Sequence, residues 1–241
     1  MPALYVMLAS LLLHAAPTNG EELVRAMHDK YAGKWYTTMS FEQKTIQANG
    51  SFETWYEFMR VPGILRIDIT PLDSGRAIVF RNDTLYNING GAIRSSRAFV
   101  HPLMVLGFDV YGDSIAKTIR RLKALNIDLA KFSTNTWQGR PVYVVGAVKG
   151  DTTSTQFWVD QERLLFVRML QTGANGAWSE TQFNKYVPAG SGWVSAEVVF
   201  NTNGQLRTRE EYSDIRTGEK FDDAFFDPAK FVKINKRPGN R

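Results

Sequence analysis

Phe52-Glu53-Thr54-Trp55-Tyr56-Glu57-Phe58-Met59-Arg60-Val61-Pro62-Gly63-Ile64-Leu65-Arg66-Ile67-Asp68 is the stretch whose reading decides the fold. Up to Arg60 it is an extended, bulky run with Phe52, Tyr56 and Phe58 on one face, Trp55 and Met59 on the other, and polar residues on both. Large apolar residues on both faces of a period-two pattern predict a strand whose two faces meet different surroundings. Val61-Pro62-Gly63 then ends the run, because proline fixes φ and lacks a ladder donor while glycine supplies the conformations of a reversal. A second strand follows over Ile64 to Ile69, with Leu65, Ile67 and Ile69 on one side and Arg66 and Asp68 on the other. The result is a hairpin of apolar strands with an arginine just past its turn.

Working outward, Thr38 to Gln47 predicts a strand before the hairpin, joined to it by Asn49-Gly50, a strong turn pair. Ahead of it, Glu21 to Tyr36 reads as an amphipathic helix with Leu23, Ala26, Met27 and Tyr31 at helical spacing and acids at its start. After the hairpin come short strands at Ala77 to Arg81 and Thr84 to Ile88. Ser96 to Gly112 is densely apolar with no clean period, a surface that has to be covered. A helix then runs from Ile115 to about Asn126, its stripe formed by Ile115, Ile119, Leu122 and Leu125. Strands resume at Pro141 to Lys149, Gln156 to Val159, Leu164 to Gln171, Trp178 to Tyr186, Trp193 to Asn201 and Gln205 to Ser213, the last two meeting at Asn203-Gly204. With no repeat and no linker, the chain reads as one domain of about ten antiparallel strands with two helices.

The N-terminus predicts export. Ala3 to Ala16 is an apolar run too short for a membrane-spanning helix but suited to a signal peptide ending in small residues, so residues 1 to 18 are set aside and 19 to 241 taken as the folded domain. Its n-region carries no lysine or arginine, which is atypical. The formal net charge of +5 also has a place: Lys230, Lys233, Lys236, Arg237 and Arg241 account for it, leaving 24 basic against 24 acidic residues up to Asp227. The basic balance thus belongs to a solvated tail, and the neutral body argues against a nucleic-acid partner.

Catalytic chemistry has little to stand on. Zero cysteines exclude disulfides, a thiolate metal site, a cysteine nucleophile and an acylated N-terminal cysteine. The three histidines, His14, His28 and His101, lack ligand spacing, and there is no Gly-x-Ser-x-Gly elbow or phosphate-cradling glycine loop. Glu210 and Glu211, adjacent on a strand, point to opposite faces and read as a wet edge rather than an acid/base couple. No enzyme, cofactor or metal is expected. The surplus of apolar strand surface fits two arrangements: a curled sheet whose inner face is lined for a ligand, or a packed barrel or sandwich with no cavity.

Several segments carry a resemblance to a known family: Phe41-Glu42-Gln43 where the family has a Phe-x-Gln strand, Arg60-Val61-Pro62-Gly63-Ile64-Leu65-Arg66 close to its basic-x-Pro-Gly-x-apolar-Arg signature, the hairpin from Trp158-Val159-Asp160 to Met169, and the ending Phe225-Phe226-Asp227-Pro228. In this order, behind an N-terminal helix, they resemble the periplasmic outer-membrane lipoprotein carriers and their lipoprotein-sorting relatives, the LolA-like proteins. Arg81-Asn82-Asp83 stands where the family carries an Asp-Gly turn. The resemblance implies a mainly β (α+β) fold, a half-open antiparallel β-barrel whose concave face is lidded by helices. It implies a soluble, monomeric periplasmic carrier that binds the acyl chains of lipoproteins or lipids and passes them from an inner-membrane donor to an outer-membrane acceptor. Phe52, Tyr56, Phe58, Leu65 and Ile67 are expected in the cavity, Leu103, Met104, Leu106 and Ile115 in the lid, and Arg66 as the arginine that holds lid to barrel. The alternative on the same fold is a non-enzymatic envelope sensor or scaffold that binds a partner protein.

Overall fold

The computed structural model describes residues 15–173 and 176–236, so most of the expected signal peptide lies outside the described residues. The strands are β1 (Thr38–Gln47), β2 (Phe52–Arg60), β3 (Ile64–Ile69), β4 (Arg76–Arg81), β5 (Thr84–Asn89), β6 (Ala92–Ala98), β7 (Phe132–Trp137), β8 (Arg140–Val145), β9 (Gln156–Asp160), β10 (Phe166–Thr172), β11 (Trp178–Ala189), β12 (Gly192–Thr202) and β13 (Gln205–Thr217). Three α-helices accompany them: α1 (Gly20–Tyr31), α2 (Pro102–Gly107) and α3 (Ile115–Ala124). All strands join one antiparallel sheet in the order β6-β5-β4-β3-β2-β1-β13-β12-β11-β10-β9-β8-β7. Every junction but one is between strands adjacent in sequence; the exception, β1 on β13, brings the two arms together. β6 and β7 end the sheet without pairing each other, so it does not close.

Among the described residues there are thirteen strands rather than about ten. The two with no counterpart in the sequence reading are the edges. β6 is exposed along its whole length and β7 is half-buried or exposed, so neither carries the alternation that a half-buried strand writes into sequence. The unexpected helix is α2, inside the unperiodic apolar segment: all of Met104 to Gly107 is buried, which erases the polar face that marks a surface helix.

α1 begins where Asn19 Oδ1 accepts the Glu22 N–H at 2.9 Å, a side-chain cap for a free helix donor. It stops at Tyr31, five residues short of the expected end, as Gly33 takes a left-handed φ of 69°. Its buried residues Leu23, Val24, Met27 and Tyr31 join one cluster with Met39 and Phe41 of β1, Met59 of β2, Leu65 and Ile67 of β3 and Phe166 of β10. The three helices therefore cover one face of the sheet, here called the inner face. Gly107 lets α2 come down onto β11, since a Cβ there would lie 2.7 Å from Cε2 of Phe183.

The outer face is covered differently. Phe58 packs edge-on against Phe221 and Phe225, with ring centroids 5.7 and 5.1 Å away. Ala77, Val79 and Ile88 form a small cluster with Phe231. The C-terminal segment thus lies across the back of the opening hairpin.

Candidate functional site

The register of β2 and β3 decides which hairpin residues share a face. Arg60 pairs with Ile64, so Met59 faces Leu65, Glu57 faces Ile67 and Phe58 faces Arg66. On the inner face β2 therefore presents Trp55, Glu57 and Met59, while Phe52, Tyr56 and Phe58 point outward. This corrects the expected cavity set. Phe58 is buried under the C-terminal segment and Phe52 is 59% exposed beside Lys44, whose Nζ sits 4.5 Å from its ring centre. The structure places Leu65 and Ile67 on the inner face.

Between that face and the cover lies a cavity of about 170 Å³. Its walls are Trp55, Met59, Leu65, Ile67, Ile78 and Phe80 from the β2–β4 arm, Phe183 and Phe200 from the other arm, and Leu103, Met104 and Phe108 from above. Leu106 is fully buried in the main cluster and Ile115 packs half-buried against it, but neither lines this space. A cavity of ~150 Å³ holds one benzene-sized group, so this closed form admits a short piece of chain and a longer one needs α2 displaced. Larger hollows lie elsewhere, about 270 Å³ beside Arg140, Asp160, Arg163 and Lys185, about 360 Å³ beside Arg66, Lys220, Asp222 and Lys230, and about 670 Å³ beside Glu22, Arg25, Asp29 and Lys30. Each mixes charged with apolar side chains, the last being lined also by Ala15, Ala16, Pro17, Ala26 and Leu164, and none of them lies between the inner face and the cover.

The polar groups in the cavity wall are Gln43, Glu57, His101, Glu210 and Tyr212, with no lysine or arginine among them. Tyr212 stacks on Phe41 at 4.3 Å and donates its O–H to Glu210 Oε2 at 2.9 Å. Burial pushes the Glu210 carboxyl up to about 7 against the hydrogen bonds from Tyr212 and Gln43. Burial, then the nearby Glu210 charge, raises Glu57 well above the usual carboxylate range. His101 caps α2 by accepting the Met104 N–H at 3.4 Å through Nδ1, and burial holds it down at about 4, a neutral imidazole. Glu210 was read from the sequence as part of a wet edge. Its parity with Tyr212, two residues on and able to stack in the core, is the signal that places it inward.

The cover is held at the sheet rim by charge. Arg121 of α3 reaches Asp109 and Asp113 through Nη1 at 3.2 and 3.1 Å, and Asp83 in the β4–β5 turn through Nη2 at 2.8 Å. Asp109 Oδ1 in turn accepts the Gly63 N–H at 2.9 Å in the β2–β3 turn. Both turns that form the sheet rim here are thereby tied to the cover. Burial raises Asp109 to about 6 despite Gly63 and Arg121.

Arg66 is not in this latch, which corrects the expectation for it. It is 1% exposed on the outer face, paired with Asp68 through Nε at 2.7 Å and Nη2 at 2.9 Å. Its remaining donors go to the carbonyls of Phe225 at 2.8 Å and Val232 at 2.7 Å, and its guanidinium lies 4.2 and 4.4 Å from the ring centres of Phe225 and Phe231. Arg66 fastens the C-terminal segment; Arg121 fastens the cover.

No family model and no curated protein matches the chain. Among solved structures it resembles a putative outer membrane lipoprotein-sorting protein domain from Vibrio parahaemolyticus, with a TM-score of 0.58 and 13% identity over 86% of this chain and 95% of that one. A LolA superfamily protein from Nitrosomonas europaea gives a TM-score of 0.56 and 11% identity over 88% and 98%. A DUF1329 family protein from Desulfovibrio piger gives 0.56 and 14% over 86% and 95%. At these identities the likeness establishes a LolA-like fold.

Proposed function

We propose that the chain is a periplasmic carrier that binds acyl chains of lipoproteins or lipids between the inner face and the helical cover, and performs no reaction on them. The observation that carries this reading is the apolar cavity of about 170 Å³ left between the sheet and a cover that Arg121 ties to the rim. A cavity wall of leucine, isoleucine, methionine and phenylalanine suits a flexible hydrocarbon, and each methylene transferred from water contributes ~0.8 kcal/mol. Affinity gained this way is non-specific in shape and strong in sum, so a partner protein has to compete for the chain at delivery. An export signal over residues 1–18 would place the carrier in the envelope. Among the described residues, no helix is long and apolar enough to cross a membrane.

Native mass spectrometry of protein purified from membranes, and uptake of an acylated peptide by delipidated protein, test the reading. Bound lipid or acylated peptide is expected, with Met104→Trp, which fills the cavity, reducing uptake while the fold persists. A protein that takes up no acyl chain, even with the latch loosened by Asp83→Ala, overturns the carrier reading. A single stoichiometric protein partner bound without regard to lipid would instead favour the sensor or scaffold role.

A further inference from the structure

The buried carboxyls of this chain that serve the fold each have a cation. Asp68 is paired with Arg66, Asp109 and Asp113 with Arg121, Asp160 with Arg140 and Glu180 with Arg168. Glu57 breaks the pattern. It is 6% exposed and lines the cavity, and no hydrogen bond or ion pair reaches its carboxyl from any described residue. A buried polar group without a partner is costly, and leucine or methionine at this position would serve packing better. Glu210, two strands away on the same face and opposite Thr45 where Glu57 is opposite Phe41, adds a second carboxyl to the cavity wall and accepts from Tyr212.

We infer that the cavity selects an amphiphile with a cationic amine head, whose ammonium group is taken by Glu57, with Glu210 as a second negative group in the same wall, while its chain lies against Leu65, Ile67 and Met104. The inference rests on the acyl-binding reading above and narrows it to a head-group class. Beside Glu57 on the flanking strands stand Phe41 and Ile67, and the other polar groups of the same cavity wall are Gln43, His101, Glu210 and Tyr212, so nothing cationic in that wall competes for it. An anionic head would enter beside two acidic groups with no arginine or lysine to receive it. A purely apolar ligand would offer the Glu57 carboxyl no hydrogen-bond partner. A metal ion is a poor occupant, because no group of three histidine, aspartate or glutamate side chains that could hold one occurs among the described residues. Burial favours the protonated Glu57 in the empty cavity. Arrival of an ammonium reverses that preference, so uptake is coupled to release of the carboxyl proton to solvent.

Displacement of the neutral dye Nile red by octylamine, octanoate and octanol at neutral pH tests this, with the full chain and with Glu57→Gln and Glu210→Gln. Octylamine is expected to bind about tenfold or more tightly than octanoate, the scale of one charge-assisted hydrogen bond, with octanol between them. Glu57→Gln is expected to remove the amine preference, bringing octylamine down to the affinity of octanol, with circular dichroism confirming the fold. Should Glu57→Gln not fold, Glu210→Gln and the wild-type comparison decide. Dye uptake with no amine preference, or a preference that survives both substitutions, overturns the inference and leaves the carrier reading intact. If neither the dye nor any of the three amphiphiles binds the wild-type chain, the carrier reading falls and takes this inference with it.

Discussion

Replacing Glu210 by glutamine should change the pH dependence of stability more than stability itself. Burial raises this carboxyl from 4.5 to about 7. A carboxyl raised on folding gives stability that is fully present below its unfolded value and lost as pH climbs through its folded one, because the folded state binds the extra proton. The full shift at ~1.4 kcal/mol per unit sets a ceiling of about 3 kcal/mol. Glu210 is only half-buried, so water screens it and about 1–2 kcal/mol is expected. Glutamine keeps the shape and still accepts from Tyr212 but carries no charge at any pH. The wild type and Glu210→Gln should therefore lie close together at about pH 4, and the variant should gain on the wild type by that amount at about pH 8.5. Urea unfolding followed by tryptophan fluorescence at several pH values gives the two curves. Parallel curves from acid to alkaline pH would show that Glu210 titrates in the folded protein as it does in the unfolded chain, and would refute the placement of an acidic group in this cavity.

The two arginine sites give separable outcomes. Arg66→Met strands Asp68, itself 3% exposed, and should cost about 3–5 kcal/mol in denaturant unfolding. Limited proteolysis should then cut the C-terminal segment first, with acyl uptake by the remaining folded protein unchanged. Asp83→Ala removes the exposed end of the rim latch, so unfolding should shift by no more than about 1 kcal/mol while hydrogen exchange in α3 speeds up and uptake of a long-chain probe accelerates. Gly107→Ala drives a methyl to 2.7 Å from the Phe183 ring and should cost about 1–3 kcal/mol by overpacking, read as a lowered urea midpoint.

Much of the fold was legible because its central strands alternate cleanly and their turns are marked. β1 and β3 run over the residues that periodicity indicates, and the Asn203-Gly204 turn joins β12 to β13 as expected. The edges β6 and β7 were not legible because a strand wet on both faces has no reason to alternate. The cavity was half legible. Period two says that Tyr56 and Phe58 share a face and that Leu65 and Ile67 share a face, but not whether these are the same one. That question is settled by the turn: three residues between Arg60 and Ile64 pair those two, and the parity that follows sets Phe58 opposite Arg66. Four phenylalanines near the C-terminus made the second apolar surface necessary, since they need somewhere to pack. Both signals are present in the sequence, and it is the chain's own end that covers the aromatic face.

Charge distinguishes the two faces as clearly as packing does. On the outer face, Arg66 satisfies Asp68 and two carbonyls of the C-terminal segment at once, and Arg168 lies between Trp137 and Trp158 while pairing with Glu180. Both arrangements close on themselves and ask nothing of a ligand. At the rim, Arg121 spans three carboxylates, one of them 42% exposed, so the same interaction that fastens the cover has an end that water can reach and loosen. In the cavity the carboxyls have no cation at all. A chain that supplies an arginine to each of its structural carboxyl clusters, and none to Glu57 and Glu210, leaves the positive charge for those two to come from outside. That asymmetry is why the cavity is better understood as a head-group site than as an imperfectly packed core.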